Sequence, residues 1–226
     1  ADNCGVTRLS WVMTGATTGS SPVTGINNVG TQSFNLGTTT VTYTIADAVG
    51  NSTTCAYTVT VTDPIAPTVV CPGNMTANTA AVSCSASVTT LNPTTNDNCS
   101  VTRLTWALTG ATTGNSPASG INNLGTYTFN LGVTTATYTV ADAAGNTSTC
   151  SFTVTVTDNV SPTISCSGNL TANTSAVSCN ASVSTSNPGI ADNCSVATLT
   201  WALTGATTAN SPATGINNLG TVVFNQ

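Results

Sequence analysis

Apolar side chains along this chain recur at every second residue, in short runs bounded by turn residues. In Val82-Ser83-Cys84-Ser85-Ala86-Ser87-Val88 one side carries Val82, Cys84, Ala86 and Val88. Leu104, Trp106 and Leu108 share a side in the next such run, with Arg103, Thr105 and Ala107 opposite. Tyr127 alternates with Phe129, and the run from Cys150 to Val156 alternates throughout. A period of two is that of a half-buried strand. Thr68-Val69-Val70-Cys71 and Thr135–Val140 read as further strands, since Thr and Val favour a pleated surface. Pro72-Gly73-Asn74, Asn92-Pro93, Asn96-Asp97-Asn98 and Asp142-Ala143-Ala144-Gly145-Asn146 punctuate them as turns. No stretch carries a helical period. About seven short strands in roughly 95 residues predict an all-β immunoglobulin-like sandwich, with the Trp as the inward anchor of its core.

The whole pattern recurs. Trp11, Trp106 and Trp201 stand 95 residues apart, and so do Cys4, Cys99 and Cys194. Cys55 and Cys150, Cys71 and Cys166, and Cys84 and Cys179 keep the same period. That length is too great for a solenoid turn and suits a small domain in tandem. The division expected is 1–62 as the C-terminal part of one repeat, 63–157 as a complete repeat and 158–226 as the N-terminal part of the next. Asp63-Pro64-Ile65-Ala66-Pro67 forms the junction, where Pro67, like Pro162, stiffens a short link. The chain reads as a piece of a longer array.

Charge is nearly absent, at 4% of residues: Arg8, Arg103 and seven Asp, with no Lys, Glu or His. This inventory leaves no Ser-His-Asp triad, no Cys-His pair and no Schiff-base lysine, so an enzyme is not expected. Two cations against seven anions cannot neutralise phosphates, which argues against nucleic acid as a partner. No run approaches the roughly 18 apolar residues of a membrane span.

Nine cysteines at fixed repeat positions imply disulfides and an oxidising, extracellular or cell-surface location. Four per repeat allow three pairings. The short connection between them favours Cys71–Cys84, and the remaining pair, Cys99–Cys150, would close a loop worth about 4 kcal/mol in the chain-entropy model. The same scheme joins Cys4 to Cys55 and Cys166 to Cys179, and leaves Cys194 in want of a partner. The spacings lack the CxxC form of a metal cluster.

Two sets of residues are candidates for binding. The Gly/Thr/Ser/Asn-rich connection at 109–125 offers Thr112, Thr113, Asn115, Asn122 and Asn123 to a carbohydrate or receptor, since long loops often hold binding sites. Its near identity between copies also fits recent duplication with no functional message. Asp97, Asp142 and Asp158 recur once per repeat and are candidate calcium ligands, because calcium takes carboxylate and amide oxygens. Asp and Asn at turns also hydrogen-bond their own backbone.

Together, Thr68–Cys71 after Pro67, Asp97-Asn98-Cys99, Leu131–Thr139 and Ala141–Val156 resemble the HYR (hyalin repeat) domain. The resemblance covers the full copy and recurs in the partial ones. It implies an immunoglobulin-like extracellular module that is not catalytic and serves adhesion or spacing. The 95-residue repeat is long for that family, with its extra residues at 109–125. The Trp-Ala-Leu-Thr-Gly-Ala-Thr-Thr stretch is similar to large, repeat-rich surface proteins of gliding and biofilm-forming bacteria. That likeness implies the stalk or filament of an adhesin. Its partners would be other copies of itself and cell-surface or matrix glycans or proteins.

Overall fold

The computed structural model describes residues 5–225, all of them strand, turn or irregular chain. No helix among the described residues is long and apolar enough to cross a membrane. The chain forms tandem β-sandwich repeats and falls into two compact units. One takes the chain up to Thr68 with Thr95–Thr102 and Val140–Ser148. The other takes Val69–Thr94, Arg103–Thr139 and the chain from Thr149 onward.

The first unit is built on an antiparallel sheet in the order Gly19–Ser20, Val6–Gly15, Gly37–Asp47, Ser52–Val61. Trp11 lies opposite Tyr43, and Met13 opposite Val41. The alternation therefore delivers Met13, Val41 and Val29 to a buried cluster, with Trp11, Phe34 and Tyr43 packed around it. The strand Val6–Gly15 ends where Gly15 takes φ +103 and passes so close to Thr38 that an added Cβ would strike its carbonyl oxygen. Gly110 repeats this against the carbonyl of Val133. Only glycine suits both the backbone angle and the approach.

Gly114–Asn115, Val101–Gly110, Gly132–Asp142, Thr147–Thr157 and Met75–Asn78 make one sheet in that order, most of its residues in the second unit. Ser85–Thr89 pairs with Thr126–Asn130 in a second sheet. The two faces enclose Leu104, Leu108, Ala136, Tyr138, Phe152, Val154, Ala86, Val88 and Phe129, all buried. Burying a side chain of this size is worth roughly 1.5–3 kcal/mol. Polar groups among these side chains are tied to the backbone. The Leu124 amide donates to the Tyr138 hydroxyl at 3.0 Å, and the Thr112 amide to the Thr134 hydroxyl at 3.0 Å. Val29 to Tyr43 and Thr17 to Thr39 are the same bonds one repeat earlier. The third copy repeats the pairings, with Thr163–Ser165 on Gly189–Ala191 and Asn180–Ser184 on Thr221–Asn225.

Three expectations are corrected. The strand expected from Val82 begins at Ser85, and Val82 itself is 91% exposed in a turn. Trp106 is half-buried and meets Tyr127 edge-on, with ring centres 5.7 Å apart, so the deep anchors are Leu104 and Leu108 beside it.

The third correction concerns the cysteines. Cys71 pairs with Cys150, and Cys84 with Cys194, in place of Cys71–Cys84 and Cys99–Cys150. The cause is the strand Met75–Asn78, which occupies the short connection expected between Cys71 and Cys84. It runs parallel to Thr147–Thr157 with Met75 opposite Val154. Cys71 and Cys150 each lie four residues earlier and so fall side by side, with Cα atoms 5.6 Å apart. Cys84, in the turn that follows, is then free to meet Cys194. Cys55, Cys99, Cys166 and Cys179 are unpaired and exposed. Cys166–Cys179, the repeat equivalent of Cys71–Cys84, is therefore not formed. Cys4 lies outside the described residues.

Candidate functional site at the repeat junction

Three short turns, each organised by an aspartate, converge where one repeat hands over to the next. At Asp63-Pro64-Ile65 the carboxylate Oδ1 accepts the Ile65 amide at 3.0 Å. At Asp97-Asn98-Cys99, Oδ2 accepts the Cys99 amide at 2.9 Å. Ser100 follows with φ +106, a strained angle for a residue with a side chain. At Asp142–Asn146, Oδ1 accepts the amides of Gly145 and Asn146 at 2.7 and 2.8 Å, and Oδ2 accepts the Asn146 side chain at 2.7 Å.

Two asparagines tie these turns together. Asn98 Nδ2 donates to Asp63 Oδ1 at 3.2 Å, and Asn146 Nδ2 donates to the carbonyl of Asp63 at 2.8 Å. One carboxylate oxygen from each of Asp63, Asp97 and Asp142 lies within 4.8 Å of the other two. Asp63 is 7% exposed and Asp142 4%. Asp63 Oδ2 and Asp97 Oδ1 are buried without a hydrogen bond. The Ile65 amide, with the neighbouring Cys99 thiol and Asn98 amide, holds the Asp63 carboxyl below the usual carboxylate range. The Asp63 carboxylate in turn pushes the Cys99 thiol up, with burial and the charges of Asp97 and Asp142 adding to it.

At the following junction the same motif is used differently. Asp192 Oδ2 accepts the amides of Cys194 and Ser195 at 3.0 and 2.9 Å. Asn193 Nδ2 reaches into the preceding repeat, to Thr79 Oγ1 at 2.9 Å and to the carbonyl of Ala80 at 3.0 Å. Thr79 Oγ1 donates to Asp158 Oδ1 at 3.0 Å. The Cys84–Cys194 disulfide closes the same place covalently, across 110 residues of chain. Asp97 and Asp142 thus share a site with Asp63, not with Asp158. Asp158 is the repeat equivalent of Asp63 and belongs to this following junction.

The loop residues separate into two groups. Thr112 is 6% exposed, and its hydroxyl accepts the Asn130 amide at 2.8 Å. Asn122 Nδ2 is spent on the carbonyls of Ser119 at 2.8 Å and Leu104 at 3.1 Å. Asn27 and Asn217 make the same strap in the other copies. Thr112 and Asn122 therefore build the loop, while Thr113, Asn115 and Asn123 face solvent.

The HYR domain family model matches residues 5–61 and 62–156. Hyalin of Strongylocentrotus purpuratus is similar, with 35% identity over 150 residues. That alignment covers 64% of this chain and 11% of hyalin, so the chain spans about a tenth of that relative's length. The family matches include Asp63, Asp97 and Asp142 and the strands around them, and the chain belongs to the HYR domain family.

Proposed function

We propose that the chain is a load-bearing segment of an extracellular, non-enzymatic adhesion protein, in which consecutive repeats are locked to one another. The observation that carries this is the Cys84–Cys194 disulfide between one repeat and the next, set beside the Asn193 hydrogen bonds. A staple at a junction limits bending between beads, and a string of stiff beads holds a distal binding surface away from its anchor. Each unpaired cysteine is the repeat equivalent of a paired one: Cys55 of Cys150, Cys99 of Cys194, Cys166 of Cys71 and Cys179 of Cys84. The reading extends the rule to every junction in an array, giving one disulfide within a repeat and one between repeats. Membership of the HYR family, the similarity to hyalin and the absence of His, Lys and Glu support an extracellular adhesive role over catalysis.

The finer form of the proposal is the stalk or filament of a bacterial surface adhesin, with many weak contacts to surface or matrix glycans and proteins acting by avidity. Peptide mapping without reductant, together with electron micrographs of the native protein, tests it. The expected result is a Cys84–Cys194 peptide and thin fibres of even bead spacing. Globular particles with Cys84 bonded to Cys71 would refute it. The rival reading, a carbohydrate-binding module, retains Thr113, Asn115 and Asn123 as its exposed loop residues. Specific glycan capture by one intact repeat, lost on substituting those three, would favour it.

A further inference from the structure

We propose that Asp63, Asp97 and Asp142 form a calcium site at the junction. The first argument is convergence. Three carboxylates from three separate turns bring one oxygen each to within 4.8 Å of the others. The hydrogen bonds on them come from backbone amides and the neutral side chains of Asn98 and Asn146, and none of these donors carries a charge.

The second argument is independent of the cluster itself. Asp63 is more than nine-tenths buried, yet its Oδ2 has no hydrogen-bond partner. Buried polar atoms are almost always paired, and an orphan among like charges asks for a cation. Asp97 Oδ1 is buried and unpaired in the same way, and so is Asp192 Oδ1 at the equivalent position of the next copy. In each case the partner oxygen is fixed by the turn: Asp63 Oδ1 by Ile65, Asp97 Oδ2 by Cys99 and Asp192 Oδ2 by Cys194. These three turns each spend one oxygen on their own backbone and hold the other in reserve, whereas Asp142 has both oxygens bonded, Oδ2 by the Asn146 side chain.

The chemistry selects calcium. The donors are hard oxygens, His is absent from the chain, and an irregular set gathered from three turns suits calcium's flexible coordination better than magnesium's octahedron. The effect would be to pin the junction to the Asp97 and Asp142 turns. Binding does not depend on the adhesive reading and is tested apart from it.

The test is calorimetric titration of calcium chloride into the oxidised, metal-stripped chain, with amide NMR spectra recorded alongside. The expected result is one site per chain with Kd about 10⁻⁴ to 10⁻³ M, the range of extracellular modules. Ile65, Cys99 and Gly145 amides shift together on binding. At about 10 mM calcium the folded-to-unfolded ratio of this unit rises about 10- to 100-fold. Asp97→Asn, at the half-buried corner of the site, weakens binding at least tenfold, and magnesium binds more weakly than calcium. Absence of both heat and amide shifts at 10 mM calcium in the unaltered chain overturns the proposal. So does unchanged affinity in a folded Asp97→Asn variant, equal binding of magnesium, or shifts confined to other residues.

Discussion

Removing the disulfide between repeats, as Cys84→Ala with Cys194→Ala, should release the third copy from the second. The magnitude follows from the topology. Taken alone, a loop of 110 residues corresponds to about 4.8 kcal/mol of denatured-state entropy at 25 °C. The Cys71–Cys150 bond already shortens the unfolded chain, because its loop overlaps this one. From Cys84 the path runs 13 residues back to Cys71, crosses the bond and runs 44 residues on from Cys150 to Cys194. The effective loop is then about 57 residues, and the expected loss is about 4 kcal/mol.

Hydrogen exchange read by mass spectrometry measures this locally, on peptides from 163–225. The loss corresponds to about a 10³-fold fall in protection of that segment. Where the segment's own opening energy is smaller than the loss, it exchanges fully and appears unfolded. Peptides from 6–61 should keep their rates, since their sheet lies in the other unit and contains neither cysteine. A change of less than tenfold in 163–225 would refute the reasoning. It would show that the Asn193 hydrogen bonds and the strand pairs Thr163–Ser165 and Asn180–Ser184 hold the copy without the staple.

Three further outcomes are expected. Asn122→Ala strips the strap from the loop and takes the side-chain donor from the carbonyl of Ser119, while the carbonyl of Leu104 keeps the Asn122 backbone amide, costing about 1 kcal/mol in urea unfolding; a loss below about 0.5 kcal/mol would mean the strap is incidental. Ser100→Gly relieves the φ of +106 and should stabilise the chain by about 1 kcal/mol, since Gly5 already occupies the equivalent position at φ +78; a destabilised variant would show that the Ser100 side chain matters more than the strain. The Asp47 carboxyl is held below its ordinary range, chiefly by the Asn51 side chain and then by the amides of Asn51, Val49 and Gly50. A depressed folded value means that its stabilising effect is complete above the unfolded value of about 3.9 and is lost as pH falls through the folded one; a carboxyl NMR titration with its midpoint at or above about 3.9 would contradict this.

How much of this was legible in the sequence depended on whether the cause was local. The alternation of Ala136, Tyr138 and Phe152, Val154 is written residue by residue, and those side chains are buried as the pattern requires. The 95-residue period is equally explicit. The disulfide pairing was not legible, because it follows from a parallel edge strand. Met-Thr-Ala-Asn carries too little alternation to announce itself, and nothing local says that it will lie along a strand 79 residues away. The junction aspartates were half legible. Recurrence once per repeat marks Asp97, Asp142 and Asp158, but which junction aspartate joins the other two depends on where the chain turns. It is Asp63, immediately preceding Pro64, that the Asn146 and Asn98 amides draw into place.

The same triplet, Asp-Asn-Cys, meets two demands, as the contrast between its copies at 97–99 and 192–194 shows. Its aspartate closes its own turn with one oxygen at both 97 and 192. Its asparagine reaches across the junction, from Asn98 to the linker at Asp63 and from Asn193 to Thr79 and Ala80 of the preceding repeat. Its cysteine bonds the preceding repeat at Cys194 and stands unpaired at Cys99. One residue shapes the turn and the other two face outward, so a change at any of the three would loosen a junction without disturbing a core. The triplet thus acts on the geometry between beads, which is where a string differs from the single domain it repeats.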